Sequence, residues 1–117
     1  MTLPLLGNHD AFPTDQISPG SGISRKISDL WQSAGWLDAE MAESFRQGGF
    51  YKKQIGASKL VVALNTNLWL AGDRLTVNET DPGGQFKWLD ETLASARREK
   101  KLVWILAHVP LGGASNP

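Results

Sequence analysis

Hydrophobic positions change their period along this chain, and each change predicts an element. The opening Leu3-Pro4-Leu5-Leu6 is a short apolar run stopping at Gly7, the pattern of a buried strand that delivers Gly7-Asn8-His9-Asp10 at its end. A loop rich in proline, glycine and polar residues follows from 11 to 22. Ile23, Ile27, Leu30, Trp31 and Ala34 then recur at helical spacing, which predicts an amphipathic helix with Ser24 as N-cap and Gly35 as its C-terminal stop. A second, shorter helix is predicted from an Asp38 N-cap, through Met41, Ala42 and Phe45, to the pair Gly48-Gly49.

Strand patterns come next. Phe50 to Ile55 reads as a strand, Gly56-Ala57 as a turn, and Leu60 to Leu64 as a continuous apolar strand of the kind covered on both faces. The two can pair as a hairpin. After a polar, irregular stretch from 65 to 80, Asp81-Pro82 supplies an N-cap followed by proline at the first helical position. Phe86, Leu89, Leu93 and Ala96 mark the apolar stripe of that helix, which runs to about Arg98. Leu102 to Ala107 is predicted as another buried strand, with His108 where it ends. Strand, helix, strand predicts a βαβ unit with parallel strands. Both strands then finish on one edge, so Asn65 and His108 are expected together on the carboxyl side, where open α/β sheets build their sites.

Composition narrows the class. At 117 residues the chain holds one domain at most, and 41% hydrophobic residues with five Trp and four Phe supply the apolar surface of a globular fold. Twelve basic residues balance twelve acidic ones, and no basic stretch is dense enough to track a nucleic acid backbone. The run Arg97, Arg98, Lys100 and Lys101, interrupted by Glu99, reads as the solvated end of a helix. Without cysteine, any metal must be held by N and O ligands. No apolar run approaches the ~20 residues of a membrane span, and the first residues lack the pattern of a signal peptide. Phe12, Trp31, Trp36 and Trp69 could line a groove, although core packing is the commoner use of such residues; Trp88 and Trp104 are assigned to structure.

The chain has two histidines, and each closely follows an apolar run and precedes a loop containing Gly or Pro. A single histidine at a strand end commonly does no more than cap a carbonyl. Two of them, one in Gly-Asn-His-Asp and the other in His-Val-Pro-Leu-Gly, favour a shared site. Asn8 offers a neutral amide oxygen to a divalent cation while its NH2 can donate to a phosphate oxygen. His9 as imidazolium can stabilise charge on a phosphate or protonate a leaving alkoxide, and Asp10 can hold the His9 ring and favour its charged form. Gly7 permits a sharp turn and a close backbone approach.

Gly7-Asn8-His9-Asp10 resembles the central motif of the calcineurin-like metallophosphoesterases, and Ala107-His108-Val109-Pro110-Leu111-Gly112 resembles their later metal-ligand motif, with Ala107 where a glycine is usual. Asp10-Ala11-Phe12-Pro13 with Asp15-Gln16, Gly48-Gly49-Phe50-Tyr51, Leu64-Asn65-Thr66-Asn67-Leu68, and Thr80-Asp81-Pro82 with Gln85, Phe86, Trp88 and Leu89 are similar to blocks of the acid sphingomyelinase-like phosphodiesterases. These blocks stand in the same order and span almost the whole chain.

The resemblance implies an α/β fragment of a metallophosphoesterase-type β-sandwich with flanking helices. It implies two zinc ions activating a water that attacks a phosphodiester or nucleotide phosphate bond. Asn8 and His108 would be metal ligands, Asn8 and His9 would contact the substrate phosphate, and His9 with Asp10 would be catalytic. The family's upstream Asp-x-His and Gly-Asp motifs and its downstream Gly-His-x-His motif have no counterpart here. The chain is therefore expected to be a partial domain over residues 1–117, truncated at both ends. The alternatives are a catalytically inactive remnant acting as a binding or structural module, and a plain α/β domain. The expected partner is a small phosphodiester or a lipid headgroup, not a nucleic acid polymer. The Asn78-Glu79-Thr80 sequon fits the secreted or lysosomal setting that the resemblance implies.

Overall fold

Two helices form first along the chain, and their ends show which local signals operate. The computed structural model describes residues 2–7, 10, 19–20, 22–69, 75–76 and 78–108. Helix α1 spans Gly22–Ser33. Ser24, expected as its N-cap, lies inside the helix and is buried, because the helix begins two residues earlier and turns this position toward its neighbour. Helix α2 spans Ala39–Gly48 and has the expected caps. The Asp38 carboxylate accepts from the Met41 amide at 2.9 Å, and Gly49, at φ 80°, donates its amide to the Phe45 carbonyl.

Strand β1, Tyr51–Ile55, pairs antiparallel with β2, Lys59–Ala63, in the register Tyr51 opposite Ala63. The turn between them contains Gly56 at φ 66°. After a 3-10 turn at Thr66–Trp69 and a second at Pro82–Gly84, helix α3 runs from Gln85 to Arg98. The Asp81 carboxylate does cap it, accepting from the amides of Phe86 at 2.8 Å and Lys87 at 3.2 Å. The expected direct start at Pro82 is corrected, since Gly83 and Gly84 both adopt left-handed angles and separate Pro82 from the α-helix. Strand β3, Leu102–Leu106, lies parallel to β2 with Lys59 opposite Leu102 and Ala63 opposite Leu106. The sheet order is β1-β2-β3.

The result is a mixed α/β arrangement with helices on both faces of one sheet. Leu37, Met41, Ala42 and Phe45 from the α1–α2 side pack with Leu6, Tyr51 and Ala63, with Ile27 and Trp31 at the margin. On the other face Leu60, Val62 and Leu64 pack with Ala96, Trp88 and Leu89. Alternate residues of β2 thus enter opposite layers, which is why it reads as a continuous apolar run.

Two strand expectations fail. Leu3–Leu6 forms no ladder; it is extended chain held by side chains, with the Tyr51 hydroxyl donating to the Pro4 carbonyl at 2.6 Å. Strand β3 is not buried: Leu102, Trp104 and Ile105 are 56%, 54% and 45% exposed. It takes the sheet edge, and among the described residues only α3 and β2 cover it.

Candidate functional site

The carboxyl ends of β2 and β3 converge on the turn that follows Leu6. The Leu64 amide donates to the Leu106 carbonyl at 2.9 Å, which fixes the two strand ends side by side. Two residues beyond β3, the His108 imidazole lies against Gly7: a Cβ built on Gly7 would meet the ring Nε2 at 3.2 Å, Cε1 at 3.3 Å and Cδ2 at 3.4 Å. Gly7 does not adopt a left-handed φ. Its requirement is therefore for space against the ring.

Asp10 closes this turn onto itself. Its carboxylate Oδ2 accepts from the Gly7 amide at 2.8 Å, while its own amide donates to the Gly7 carbonyl at 3.2 Å. Such a reciprocal pair fixes both ends of the tetrapeptide. Asn8 and His9, inside it, lie outside the described residues, as does Phe12. The structure thus brings His108 to the residue that immediately precedes Asn8, and leaves the roles of Asn8 and His9 as sequence-based expectations.

Asn65 was expected to emerge beside His108. It is instead fully buried and engaged with the scaffold. Its amide donates to Gln85 Oε1 at 2.7 Å, Gln85 Nε2 donates back to the Asn65 carbonyl at 3.0 Å, and Asn65 Nδ2 donates to the Gly48 carbonyl at 2.9 Å. Asn67 Nδ2 then reaches both Asn65 Oδ1 at 2.9 Å and the Leu6 carbonyl at 3.0 Å. Asn67 and Gln85 are the residues that pattern reading missed as supports of this end of the sheet. The signal available was three amides in or beside apolar segments, where a solvated polar residue is unexpected.

Of the aromatic residues, Trp31 packs against Phe45 with centroids 5.1 Å apart, and Trp69 stacks on Phe86 at 4.2 Å and 11°. Trp36 is 42% exposed and tilts against Trp31. A groove of about 410 Å³ is bounded by Lys52, Gln54, Leu60, Ser95 and Glu99, at the opposite end of β2. It shares no residue with the Gly7–His108 contact. The chemistry there carries more weight, because the groove is lined by ordinary charged surface residues of both signs.

A metal is compatible with the donor set. An imidazole nitrogen and an amide oxygen are both ligands of zinc-type sites, and the bare Gly7 Cα leaves room for the ring where Asn8 begins. Among the described residues no group of three or more His, Cys, Asp or Glu side chains converges. The Asn78 sequon lies on an exposed turn closed by the Glu79 amide donating to the Thr76 carbonyl at 2.9 Å.

No protein-family model matches the chain. Over 112 residues it is 43% identical to cyclic GMP-AMP phosphodiesterase SMPDL3A of Rattus norvegicus, covering 93% of this chain and 25% of that protein. It is 41% identical over 112 residues to acid sphingomyelinase-like phosphodiesterase 3b of Homo sapiens, covering 92% and 24%. Human sphingomyelin phosphodiesterase is 33% identical over 116 residues, covering 93% and 18%. The chain is thus a homologue of acid sphingomyelinase-like phosphodiesterases along nearly its whole length, and spans about a quarter of the length of the first two.

Proposed function

We propose that this chain carries a zinc-binding part of a two-zinc site for hydrolysing a phosphodiester. The observation that carries the reading is the His108 imidazole against Gly7, one residue before Asn8. His108 and Asn8 would hold metal. When bound, a zinc pair supplies Lewis acidity toward phosphate oxygens and lowers the pKa of a bound water.

The chain's own residues then divide the remaining work. The Asn8 NH2 orients a phosphate oxygen, and His9 transfers a proton to the leaving oxygen. Asp10 acts through the backbone, because its Oδ2 is committed to the Gly7 amide; supporting the His9 ring would fall to its other oxygen. A phosphodiester is what the relatives' names share, one being named for cyclic GMP-AMP and another for sphingomyelin. We extend the reading to a secreted or lysosomal protein, in which the exposed Asn78 would carry a glycan.

The test is zinc retained per chain by elemental analysis, after loading and exhaustive dialysis, together with hydrolysis of bis(p-nitrophenyl) phosphate. Zinc is expected in the wild type and lost in His108→Ala. His9→Ala is expected to keep its zinc and to lose turnover by about 100-fold or more, the usual contribution of a positioned acid. A chain that retains no zinc sinks the metal reading. Zinc retained without turnover leaves a binding module in place of an enzyme.

A further inference from the structure

Among the described residues the segment that enters the candidate site has no strand partner, so something other than a sheet ladder must fix it. Its carbonyls at Pro4 and Leu6 lie two residues apart. Each is held by a side chain from elsewhere: Pro4 by the Tyr51 hydroxyl at 2.6 Å and Leu6 by Asn67 Nδ2 at 3.0 Å. Asn67 is in turn held through Asn65 Oδ1, and the Asn65 backbone is gripped on both its amide and its carbonyl by Gln85. An unbroken run of hydrogen bonds therefore connects the first residue of α3 with the residue before Gly7.

All three carboxamides are fully buried. Desolvating an amide costs several kcal/mol unless its bonds are replaced, and apolar side chains of the same size would fill the space without that cost. The arrangement also leaves Asn67 Oδ1 buried with no hydrogen-bond partner among the described residues. That oxygen shares a carbon with the Nδ2 bonded to Leu6, so it sits within about 5 Å of the Leu6 carbonyl, beside the chain that runs into Gly7. Packing alone gives no reason to keep an amide with a spare acceptor there.

We infer that Asn67, oriented by Asn65 and Gln85, is a positioning residue: it sets the Leu6 carbonyl, and with it the placement of the Gly7–Asp10 turn against the His108 ring. Its catalytic meaning rests on the phosphodiesterase reading; the positioning does not. Asn67 touches no reacting group in this account and acts only through the backbone that carries Asn8 and His9.

The experiment compares the metal-free 117-residue chain with Asn67→Leu and with Ser28→Ala. The latter removes a buried bond of the same kind, Ser28 Oγ to the Ala42 carbonyl at 3.0 Å, between α1 and α2 and away from the site. Proximity of the His108 ring protons to the Gly7 α-protons is read by nuclear Overhauser effects, and opening of the turn by exchange of the Gly7 amide. The expected result is that Asn67→Leu loses the His108–Gly7 contact and exchanges the Gly7 amide about tenfold faster or more, while Ser28→Ala keeps both. Equal behaviour of the two variants, or absence of the contact in the wild type, overturns the inference. Should Asn67→Leu not fold, exchange of the Asn67 side-chain amide in the wild type decides. Protection of about tenfold or more over the exposed Asn78 amide supports the inference, and equal rates overturn it. Zinc added to the same samples tests the enzyme reading separately, since a wild type that takes up no zinc but holds the His108–Gly7 contact fails one and passes the other.

Discussion

Replacing Gly49 by alanine should cost far more than replacing Gly56, although the two share a left-handed backbone at φ 80° and 66°. At Gly56 a new Cβ meets nothing within 4 Å, so the substitution carries only the left-handed penalty, about 1 kcal/mol for a residue with a side chain. At Gly49 the Cβ meets Asn65 Nδ2 at 2.7 Å and Leu6 Cδ1 at 3.0 Å. The Leu6 side chain is buried. The Asn65 amide must move, and doing so breaks its 2.9 Å bond to the Gly48 carbonyl. Leaving a buried amide and carbonyl unpaired adds about 2 kcal/mol, for a total of about 3 kcal/mol. At about 4 °C per kcal/mol for a domain of this size, the melting temperature should fall by about 12 °C in Gly49→Ala and by about 4 °C in Gly56→Ala. Thermal unfolding followed by circular dichroism measures both. Equal losses would show that backbone angle alone selects glycine at 49 and would remove the close approach of Asn65 from the account.

Gly7→Ala strains no backbone angle but pushes the His108 ring back by a few tenths of an ångström from its 3.2 Å approach. Metal sites tolerate about 0.2 Å, so zinc titration should show affinity falling about tenfold while the melting temperature barely moves; unchanged affinity counts against the shared site. Burial pushes the Tyr51 phenol well above its ordinary value of 10.0. A raised folded-state value means its stability is intact below pH 10.0 and is lost as pH rises beyond it. Tyr51→Phe should flatten that alkaline loss in urea titrations between about pH 9 and 11, at a constant cost from the lost Pro4 bond. The hydrogen bond from Lys101 holds the Glu99 carboxyl below its ordinary 4.5, helped by the charges of Lys101, Arg98 and Lys52. Its small contribution is present above that pH and disappears as acid is added, so Glu99→Gln should narrow the difference in urea midpoint between about pH 6 and 3.

The sequence by itself determined what depends on neighbours along the chain. Helical spacing located α1, α2 and α3, and Asp38 and Gly49 marked the ends of α2 because caps are formed by residues three or four positions apart. The unbroken apolar run at Leu60–Leu64 announced a strand with two covered faces. Homology to phosphodiesterases was legible for the same reason, in short blocks around Asn8 and His108. Tertiary structure decided what depends on distant partners. Leu3–Leu6 and Leu102–Leu106 are similarly apolar, yet one is extended chain pinned by side chains and the other an exposed edge strand. Apolar content reports a preference for burial; which strand obtains a neighbour on each side is settled by topology. Gln85 and Asn67 look like surface residues in a one-dimensional pattern. They are buried because their partners lie 20 and 61 positions away, and only the folded chain brings an amide from α3 and a carbonyl from Leu6 to the same pair of asparagines. The contact of His108 with Gly7 is of the same long-range kind, and the candidate site exists only through it.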